Sequence, residues 1–377
     1  MILFVGIFLL GYISATYYVG SRLLSVLPML TGQGPYSWLA ISLLAATPFF
    51  VRIYGRKISS RWLATLTLLG DYWLAVLYYL TLLWLATDAV AFFMVLFTGA
   101  PPFSMPAIDL IVPAVTVAML IRGTMNARTA RVNSYQVAVA KDLPARRELR
   151  AVLVSDIHLG TTVNRRRLEQ MVQEINRLAP DIVFLAGDVI DGNVEPFAAQ
   201  GMAAVLRQLQ SPLGVYAVMG NHEYMSGQGE LAVEHLQEGG VTVLRDAWVE
   251  VAGEFYVVGR DDRARHRLTG KARLSLEDVM QGLDATKPII LLDHQPWVLA
   301  EAQSAGVDLQ LSGHTHHGQF FPNNLVTQRL FELDWGYLQK GALQVVVSCG
   351  YATWGPPIRI GSYSEIVELG ITFGSKS

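Results

Sequence analysis

The sequence of 377 residues contains a single cysteine, Cys349. One thiol excludes an internal disulfide, and it also excludes a zinc site built from several thiolates. Cys349 follows three valines and a serine, a setting more typical of a small buried residue than of an exposed nucleophile. We therefore favour a structural role for this thiol.

Charge is also scarce. The formal net charge is only -2, so the total gives no indication of a nucleic-acid partner. Before about residue 123 charged side chains are sparse, and the hydrophobic content of the whole chain, 52%, exceeds that of an ordinary soluble domain. The chain therefore divides into an apolar N-terminal region and a globular remainder.

The N-terminal region contains several apolar runs. Residues 2–19 carry no charged side chain, reach spanning length and lack a convincing cleavage site, which predicts a retained membrane helix. Further candidates are residues 38–51, 62–97 and 108–121, where 62–97 fits either one long helix or a tight pair. We predict a transmembrane region over residues 1–123 with about four helices, and five is the alternative count.

Two carboxylates interrupt the apolar residues 62–97. Asp71 and Asp88 suit a transport function, because carboxylates inside a membrane are costly and often mark ion paths. The alternative, which we favour, places both near helix ends at the membrane interface.

Basic residues predict the orientation of the chain. A cluster precedes the longest apolar run, whereas residues 62–121 contain no Lys or Arg, and residues 124–149 read as a basic juxtamembrane linker. An even number of crossings places the cluster and the linker on one side, which the positive-inside bias makes cytoplasmic. We therefore expect a multi-pass protein of the cell (inner) membrane with a cytoplasmic C-terminal domain. The cluster consists of Arg52, Arg56, Lys57 and Arg61.

Beyond the linker, strand and helix patterns alternate over residues 150–377. A buried strand ends near Val154, and Asn164 can cap a helix that Pro180 terminates before the strand at 182–185. This alternation predicts an α/β sandwich with mixed sheets. The apolar residues at helical spacing are Leu168, Met171, Val172, Ile175 and Leu178.

Metal-ligating residue types follow the predicted strands repeatedly. In open α/β sheets such residues converge beyond the carboxyl ends of the strands. A lone histidine there is more often structural, but six of the eight histidines lie in these segments, which favours metal binding. The residues are Asp156, His158, Asp188, Asp191, Asn221, His222, His294, His314, His316 and His317.

Taken in order, the motifs D-x-H, G-D-x-x-D, G-N-H-E, a strand-end His and G-H-x-H resemble the calcineurin-like metallophosphoesterase superfamily. The resemblance covers roughly residues 150–369, including a closing segment from Gly350 to Arg359. The HQP and GHTH-x-GQ segments are similar to its membrane-associated bacterial branch, of the YkuE and YaeI type. His317 departs from that branch, which usually has glycine there.

The resemblance implies a four-layer α-β-β-α sandwich and a pair of divalent metals, Mn, Fe or Zn, that activate water and clamp a phosphoryl group. It also implies that His222 contacts the phosphate and protonates the leaving oxygen, with Asp191 as its orienting partner. By the same analogy the first metal is held by Asp156, His158 and His316, the second by Asn221, His294 and His314, and Asp188 bridges the two.

These features predict a membrane-anchored phosphoesterase that cleaves a phosphoester or pyrophosphate bond. Because of the anchor, we expect a lipid-linked substrate, for which the resemblance suggests a UDP-acylglucosamine. The alternatives are an anchored phosphodiesterase for a soluble nucleotide and a non-catalytic transport or scaffold protein. The basic residues 260–273 could bind a second phosphate or form a solvated loop. Some apolar residues beside the closing motifs could border an acyl chain or a membrane-facing edge, or pack in the core. They are Phe320, Phe321, Tyr351, Trp354, Pro356 and Pro357.

Overall fold

The computed structural model describes residues 2–26, 34–54, 61–100, 105–143 and 146–374. Arg56 and Lys57 of the basic cluster, and Pro101 and Pro102 between two apolar runs, lie outside these ranges. The chain divides into two compact units, one of residues 1–124 with 355–357 and one of residues 125–354 with 358–377.

Four long helices account for the N-terminal apolar runs: α1 (Ile2–Val26), α2 (Gly34–Tyr54), α3 (Arg61–Thr98) and α4 (Met105–Arg128). Within the described residues, three helices are long and apolar enough to cross a membrane, over Gly34–Ile53, Trp62–Thr98 and Ala107–Arg128. The run at 62–97 is one helix and not a pair. At 38 residues α3 is about 57 Å long, well beyond the ~30 Å of a hydrocarbon core.

The two carboxylates of α3 do not lie near its ends. Asp71 and Asp88 each lie ten residues inside the helix, so the interpretation that we favoured is wrong in this respect. Asp88 accepts a hydrogen bond from Tyr18 at 2.6 Å and pairs with Arg22, which also pairs with Asp109. The cluster joins α1, α3 and α4, and such pairing lowers the cost of charge in an apolar setting.

The C-terminal unit contains twelve described strands in two six-stranded sheets. The strands are β1 (Arg131–Val139), β2 (Glu148–Val154), β3 (Ile182–Ala186), β4 (Val215–Val218), β5 (Thr242–Leu244), β6 (Ala247–Val251), β7 (Phe255–Gly259), β8 (Ile289–Leu292), β9 (Leu309–Ser312), β10 (Gly336–Lys340), β11 (Leu343–Val347) and β12 (Glu365–Phe373). The strand orders are β1-β12-β2-β3-β4-β5 and β10-β11-β9-β8-β7-β6. Both sheets are mixed, as predicted.

Nine described helices of this unit connect the strands. They are α5 (Arg165–Arg177), α6 (Glu195–Ala199), α7 (Met202–Leu206), α8 (Asn221–Met225), α9 (Gly229–Glu238), α10 (Ala264–Thr269), α11 (Leu276–Val279), α12 (Leu299–Ser304) and α13 (Asn324–Leu330). Asn164 caps α5 by accepting a hydrogen bond from the backbone N–H of Arg167 at 3.2 Å, as its position predicts.

The two faces of each sheet pack against different layers. Along β2, Val152 and Val154 join a core with Met171 of α5, while Leu153 points the other way and joins Val257 of the second sheet. The outer face of the second sheet packs on residues of α11 and α12 such as Leu299. The predicted four-layer α-β-β-α sandwich is confirmed.

The predicted linker contributes a strand. Residues Arg131–Val139 form β1, which pairs in parallel with β12 from Arg131 opposite Glu365 to Val139 opposite Phe373. Only Val137 and Val139 of β1 are buried, so the strand lacks the apolar pattern that would reveal it. Backbone pairing with the last strand of the chain, more than 230 residues away, defines this edge strand.

Candidate metal centre

Five strand ends bring the predicted ligands to one edge of the sandwich. The strands β2, β3 and β4 are parallel neighbours in one sheet, and β8 and β9 are parallel neighbours in the other. Their carboxyl ends therefore lie at one edge of each sheet, and the two edges adjoin, because Asp188 after β3 lies close to His294 after β8 and His314 after β9. The side chains that follow them are Asp156, Asp188, Asn221, His294 and His314.

The backbone turns sharply at these positions. Asp156, Asp188 and His314 have left-handed φ values of 51°, 51° and 73°, which cost a non-glycine residue roughly 1–2 kcal/mol. Part of this cost is offset because the Asp156 N–H donates to the Gly187 carbonyl at 3.0 Å. Gly220 and Gly313 permit the close approach, since a Cβ on either would overlap Asp188 or Asp156.

Three groups of donor atoms form at this edge, and one of them, consisting of His158, Asp191 and His222, shares His158 with the first group described below. Asp156, His158 and His316 offer ligand atoms that all lie within 4.8 Å of one another, and all three residues are buried. The Nε2 atom of His316 lies 3.2 Å from Nε2 of His158 and 3.3 Å from Oδ1 of Asp156. This is the first ligand group.

The second ligand group consists of Asp188, His294 and His314, whose ligand atoms likewise lie within 4.8 Å of one another. The Nε2 atom of His294 is 3.3 Å from Oδ2 of Asp188. Asn221 begins α8, and the next residue, His222, donates its backbone N–H to Oδ1 of Asp188 at 2.8 Å.

The donor set fits divalent cations. Among the described residues, Oδ1 of Asn221 and Nε2 of His294 are buried without a hydrogen-bond partner. A buried polar atom left without a partner costs about 1–3 kcal/mol, which a bound cation would relieve. Imidazole, carboxylate and amide donors suit borderline to hard ions such as Mn, Fe or Zn.

The pKa shifts favour the ligand forms of Asp188, His314 and His316, but not of His294. Burial lowers the pKa of His294, but the carboxylate of Asp188 outweighs this effect and raises the pKa well above its usual value, so a bound cation would have to displace a proton there. Burial raises the pKa of Asp188, but the imidazoles of His294 and His222 outweigh this effect and hold it well below its usual range. Burial lowers the pKa of His314 and His316 to about 4, which leaves both rings neutral. Ionised carboxylates beside neutral imidazoles are what a divalent cation requires.

His222 and Asp191 form a pair beside the ligand groups. The Nδ1 atom of His222 lies 2.8 Å from Oδ1 of Asp191, and its Nε2 lies 4.0 Å from Oδ2 of Asp188. Burial lowers the pKa of His222, but the carboxylates of Asp188 and Asp191 outweigh it and raise the pKa to about 9. Asp191 also lies 3.6 Å from Nδ1 of His158, so it contacts two rings instead of one.

Two neighbouring motif residues hold the backbone. Glu223 is buried and accepts hydrogen bonds from the N–H groups of Gly220 at 2.8 Å and Ile190 at 2.9 Å, as in a capping box. His317 lies outside the ligand groups found among the described residues, and its Nδ1 contacts Oδ2 of Asp334 at 2.9 Å. Both side chains stabilise the turns that carry the ligands.

The predicted phosphate-binding loop is largely neutralised. Arg260 is buried and pairs with Glu301 at 2.8 Å, Arg265 pairs with Asp261 at 2.9 Å, and Arg273 pairs with Asp293 at 3.0 Å. The partners of Arg260 and Arg273 lie at least 20 residues away in the sequence, and the partner of Arg265 lies four residues before it. The amino-acid composition of the stretch does not reveal these ion pairs. The exposed cations of the stretch are Arg263, Arg267 and Lys271.

Comparison with known proteins finds a matching family and several similar chains. Residues 149–318 match the family model of calcineurin-like phosphoesterases. An uncharacterized metallophosphoesterase of Aquifex aeolicus is 36% identical over 243 residues, covering 64% of this chain and 91% of that protein. A transmembrane protein with metallophosphoesterase domain from Bos taurus is 35% identical over 276 residues, covering 68% of this chain and 60% of that protein. The structure of Haemophilus influenzae NAD nucleotidase aligns with a TM-score of 0.37 and 17% identity over 54% of this chain and 46% of that one.

Proposed function

The chain belongs to the calcineurin-like phosphoesterase family, and from that premise we propose that it is a membrane-anchored hydrolase with two divalent metal ions. The convergence of the first and second ligand groups is the observation that carries the proposal. The first group would hold one ion, and the second group with Asn221 would hold the other. Bound ions would supply an activated water and charge stabilisation at the phosphoryl oxygens.

The surrounding residues supply positioning and a proton. His222 is oriented by Asp191 through the 2.8 Å contact at Nδ1, which leaves Nε2 directed toward Asp188. A proton held at Nε2 is available to the oxygen of a leaving group. The His222 backbone N–H fixes the bridging candidate Asp188, so α8 aligns both the acid and the carboxylate.

The test uses the purified full-length protein in detergent, stripped of metal and reloaded with Mn²⁺. Phosphomonoesters, phosphodiesters and nucleotide-linked glycolipids are assayed side by side. Hydrolysis that requires Mn²⁺ supports the proposal, and the preferred ester separates a lipid hydrolase from an anchored nucleotide phosphodiesterase. Mn²⁺ binding without turnover of any ester would favour the non-catalytic scaffold.

For the substrate, we propose a lipid-linked phosphate or pyrophosphate, of which a UDP-acylglucosamine is one candidate. The supporting observation is an apolar rim beside the second ligand group. The ring centroid of Phe331 lies 4.3 Å from that of Trp297 and 6.2 Å from that of His314. The helix α13 extends this rim with Leu325 and Val326, which are 52% and 55% exposed. An apolar surface next to a polar centre suits a substrate that carries an acyl chain.

The aromatic residues singled out in the sequence divide between two roles. Phe321 and Trp354 are 48% and 49% exposed, as a substrate-facing residue requires. Tyr351 is buried in the core against α5 and donates its hydroxyl to the Arg167 carbonyl at 3.2 Å, so it does not border an acyl chain. Hydrolysis rates for acylated and deacylated forms of one phosphate substrate in micelles test the proposal, and equal efficiency for both would contradict it.

We also propose that the catalytic unit lies in the cytoplasm at the cell inner membrane. The positive-inside bias supports this orientation, because basic residues flank residues 62–121 while that stretch contains none. A C-terminal alkaline phosphatase fusion, active only when exported, should be inactive. High activity would favour the opposite orientation and five crossings.

A further inference from the structure

A buried arginine lies directly behind the first ligand group. The side chain of Arg359 is 0% exposed, and its Nη2 atom lies 3.2 Å from Nδ1 of His316. The same nitrogen contacts the carbonyl oxygens of Cys349 at 2.7 Å, Gly350 at 3.0 Å and Ala352 at 2.5 Å. The guanidinium therefore lies at the Nδ1 edge of His316, which points away from Asp156 and His158. A ring that binds a metal through Nε2 carries its proton at Nδ1, and a guanidinium has no acceptor for that proton, so this contact restricts the ring by packing and not by a hydrogen bond.

This charge is not held by an ion pair. Among the described residues, no carboxylate lies within 4.0 Å of the Arg359 guanidinium. A buried charge without a close partner is costly, so the contacts that Arg359 does make must compensate. The compensating contacts are the three carbonyl oxygens and the hydroxyl of Ser362 at 3.4 Å.

The carbonyl contacts extend to the second member of the ligand group. Loop 349–352, which Arg359 holds by its carbonyls, donates the N–H of Tyr351 to Ser155 and the N–H of Ala352 to Asp156, both at 2.9 Å. At Gly350 an added Cβ would lie 2.8 Å from Cβ of Asp156 and 3.1 Å from Nη2 of Arg359. The loop therefore links Arg359 closely to the backbone of Asp156.

We propose that Arg359 is a positioning residue that sets the orientation of His316 and Asp156, and thereby the affinity of the first metal position alone. The proposal rests on the two-metal function proposed above. Its selectivity follows from the contacts, because those found for Arg359 in the described part of the chain include His316 and none of Asp188, His294 and His314. Groups behind metal ligands typically change metal affinity 10–100-fold.

Arginine suits this task better than lysine. Its planar guanidinium is held at two points, because Nη1 contacts Ser362 while Nη2 contacts the carbonyl oxygens and His316, whereas lysine carries its charge at one flexible point. The substitution Arg359→Lys keeps the positive charge and removes the planar guanidinium. It therefore separates positioning from simple electrostatics. If Arg359 acted only through its positive charge, which repels the metal ions, Arg359→Lys would leave the metal affinity unchanged.

The experiment titrates Mn²⁺ into the metal-free full-length protein by calorimetry, in wild type, Arg359→Lys and Arg359→Met. We expect two Mn²⁺ in wild type, and in both variants one site about 10–100-fold weaker with the other unchanged. Electron paramagnetic resonance is then recorded on the variants with one equivalent of Mn²⁺ more than the tighter site needs. The spectrum should show isolated Mn²⁺ ions and not the coupled pair expected when both sites are filled. Arg260→Lys is the matched control, because Arg260 is equally buried but pairs with Glu301.

Unchanged affinity in Arg359→Lys, or equal weakening of both sites, would overturn the positioning role. A wild type that binds no Mn²⁺ would overturn the metal centre and this role together, which distinguishes the two failures. If the Arg359 variants do not fold, Ser362→Ala decides, since it removes only the hydroxyl near Nη1. It should weaken the same single site by a smaller factor, and no selective change would contradict the proposal.

Discussion

In the helical unit the charged side chains Arg22, Asp88 and Asp109 meet in one cluster, whereas the sandwich unit gathers buried carboxylates and imidazoles where five strands end. The first set contains its own cation and is internally paired. The second has donor atoms that face one another without partners. Both sets are polar, but the first is half-buried and contains a cationic side chain, whereas the second is mostly buried and has donor atoms without such a side chain among them. This difference distinguishes a contact between helices from a binding site.

The apolar side chains differ as well. Leu153 of β2 is 0% exposed, while Phe93 and Phe97 of α3 are 55% and 81% exposed to the surroundings. Exposed apolar side chains in such number suit a unit whose solvent is the lipid bilayer. Packing and a few polar contacts then specify the helix arrangement, because the hydrophobic effect no longer separates inside from outside.

The largest expected effect is at Asp188, the carboxylate proposed to bridge the two metal ions. Asp188→Ala should reduce hydrolysis to the level of buffer and lower the metal content, because Asp188 lies between His294 and the His222 backbone. Metal analysis and an Mn²⁺-dependent assay check this outcome. Asp308→Ala is the control, since Asp308 is also buried but pairs with Lys141 at 2.7 Å. Wild-type activity in Asp188→Ala would refute the metal-centre interpretation.

The acid beside the ligands should matter next. His222→Ala should lower kcat by about 10²- to 10⁴-fold while leaving the metal content unchanged, because in the proposed function His222 contributes a proton and no ligand atom. Steady-state kinetics and metal analysis measure the two quantities. His235→Ala serves as the control, since His235 pairs with Glu238 at 2.8 Å on α9, outside the site. Loss of metal in His222→Ala would instead make it a ligand.

A third prediction compares the two kinds of apolar surface. Leu153→Ala should lower the free energy of unfolding by about 2–5 kcal/mol, because it leaves a cavity between the sheets. Leu43→Ala on α2, where the side chain is 63% exposed, should change it by less than about 0.5 kcal/mol. Denaturant unfolding of the full chain in detergent measures both. Similar losses would show that both side chains pack against protein.

The smallest expected effect tests the cluster between helices. Tyr18→Phe removes the 2.6 Å hydrogen bond to Asp88 and should cost about 0.6 kcal/mol, as is typical of polar contacts between membrane helices. Tyr17→Phe is the matched control, because the neighbouring Tyr17 is 66% exposed and stacks on Trp38. Thermal unfolding in the same detergent compares the two, and an equal effect would argue against a specific role for the cluster.

The sequence alone was sufficient for the features that short segments encode. Apolar runs predicted the N-terminal helices, and the order of five motifs predicted the family and the α-β-β-α sandwich. The strand ends also predicted which residues would converge, because parallel strands bring their carboxyl ends to one edge. In each case the signal lies within a few consecutive residues.

Tertiary structure decided the features that depend on partners far along the chain. The edge strand β1 forms by pairing with β12. Asp88 forms an ion pair with Arg22, and Arg273 of the basic stretch forms one with Asp293. Arg359 marks only the end of a motif in the sequence, and its contact with His316 exists because folding brings together residues 43 positions apart. The local sequence gives the chemical type of each side chain. The partners of that side chain, and therefore its charge balance and its role, are determined only when distant segments pack together.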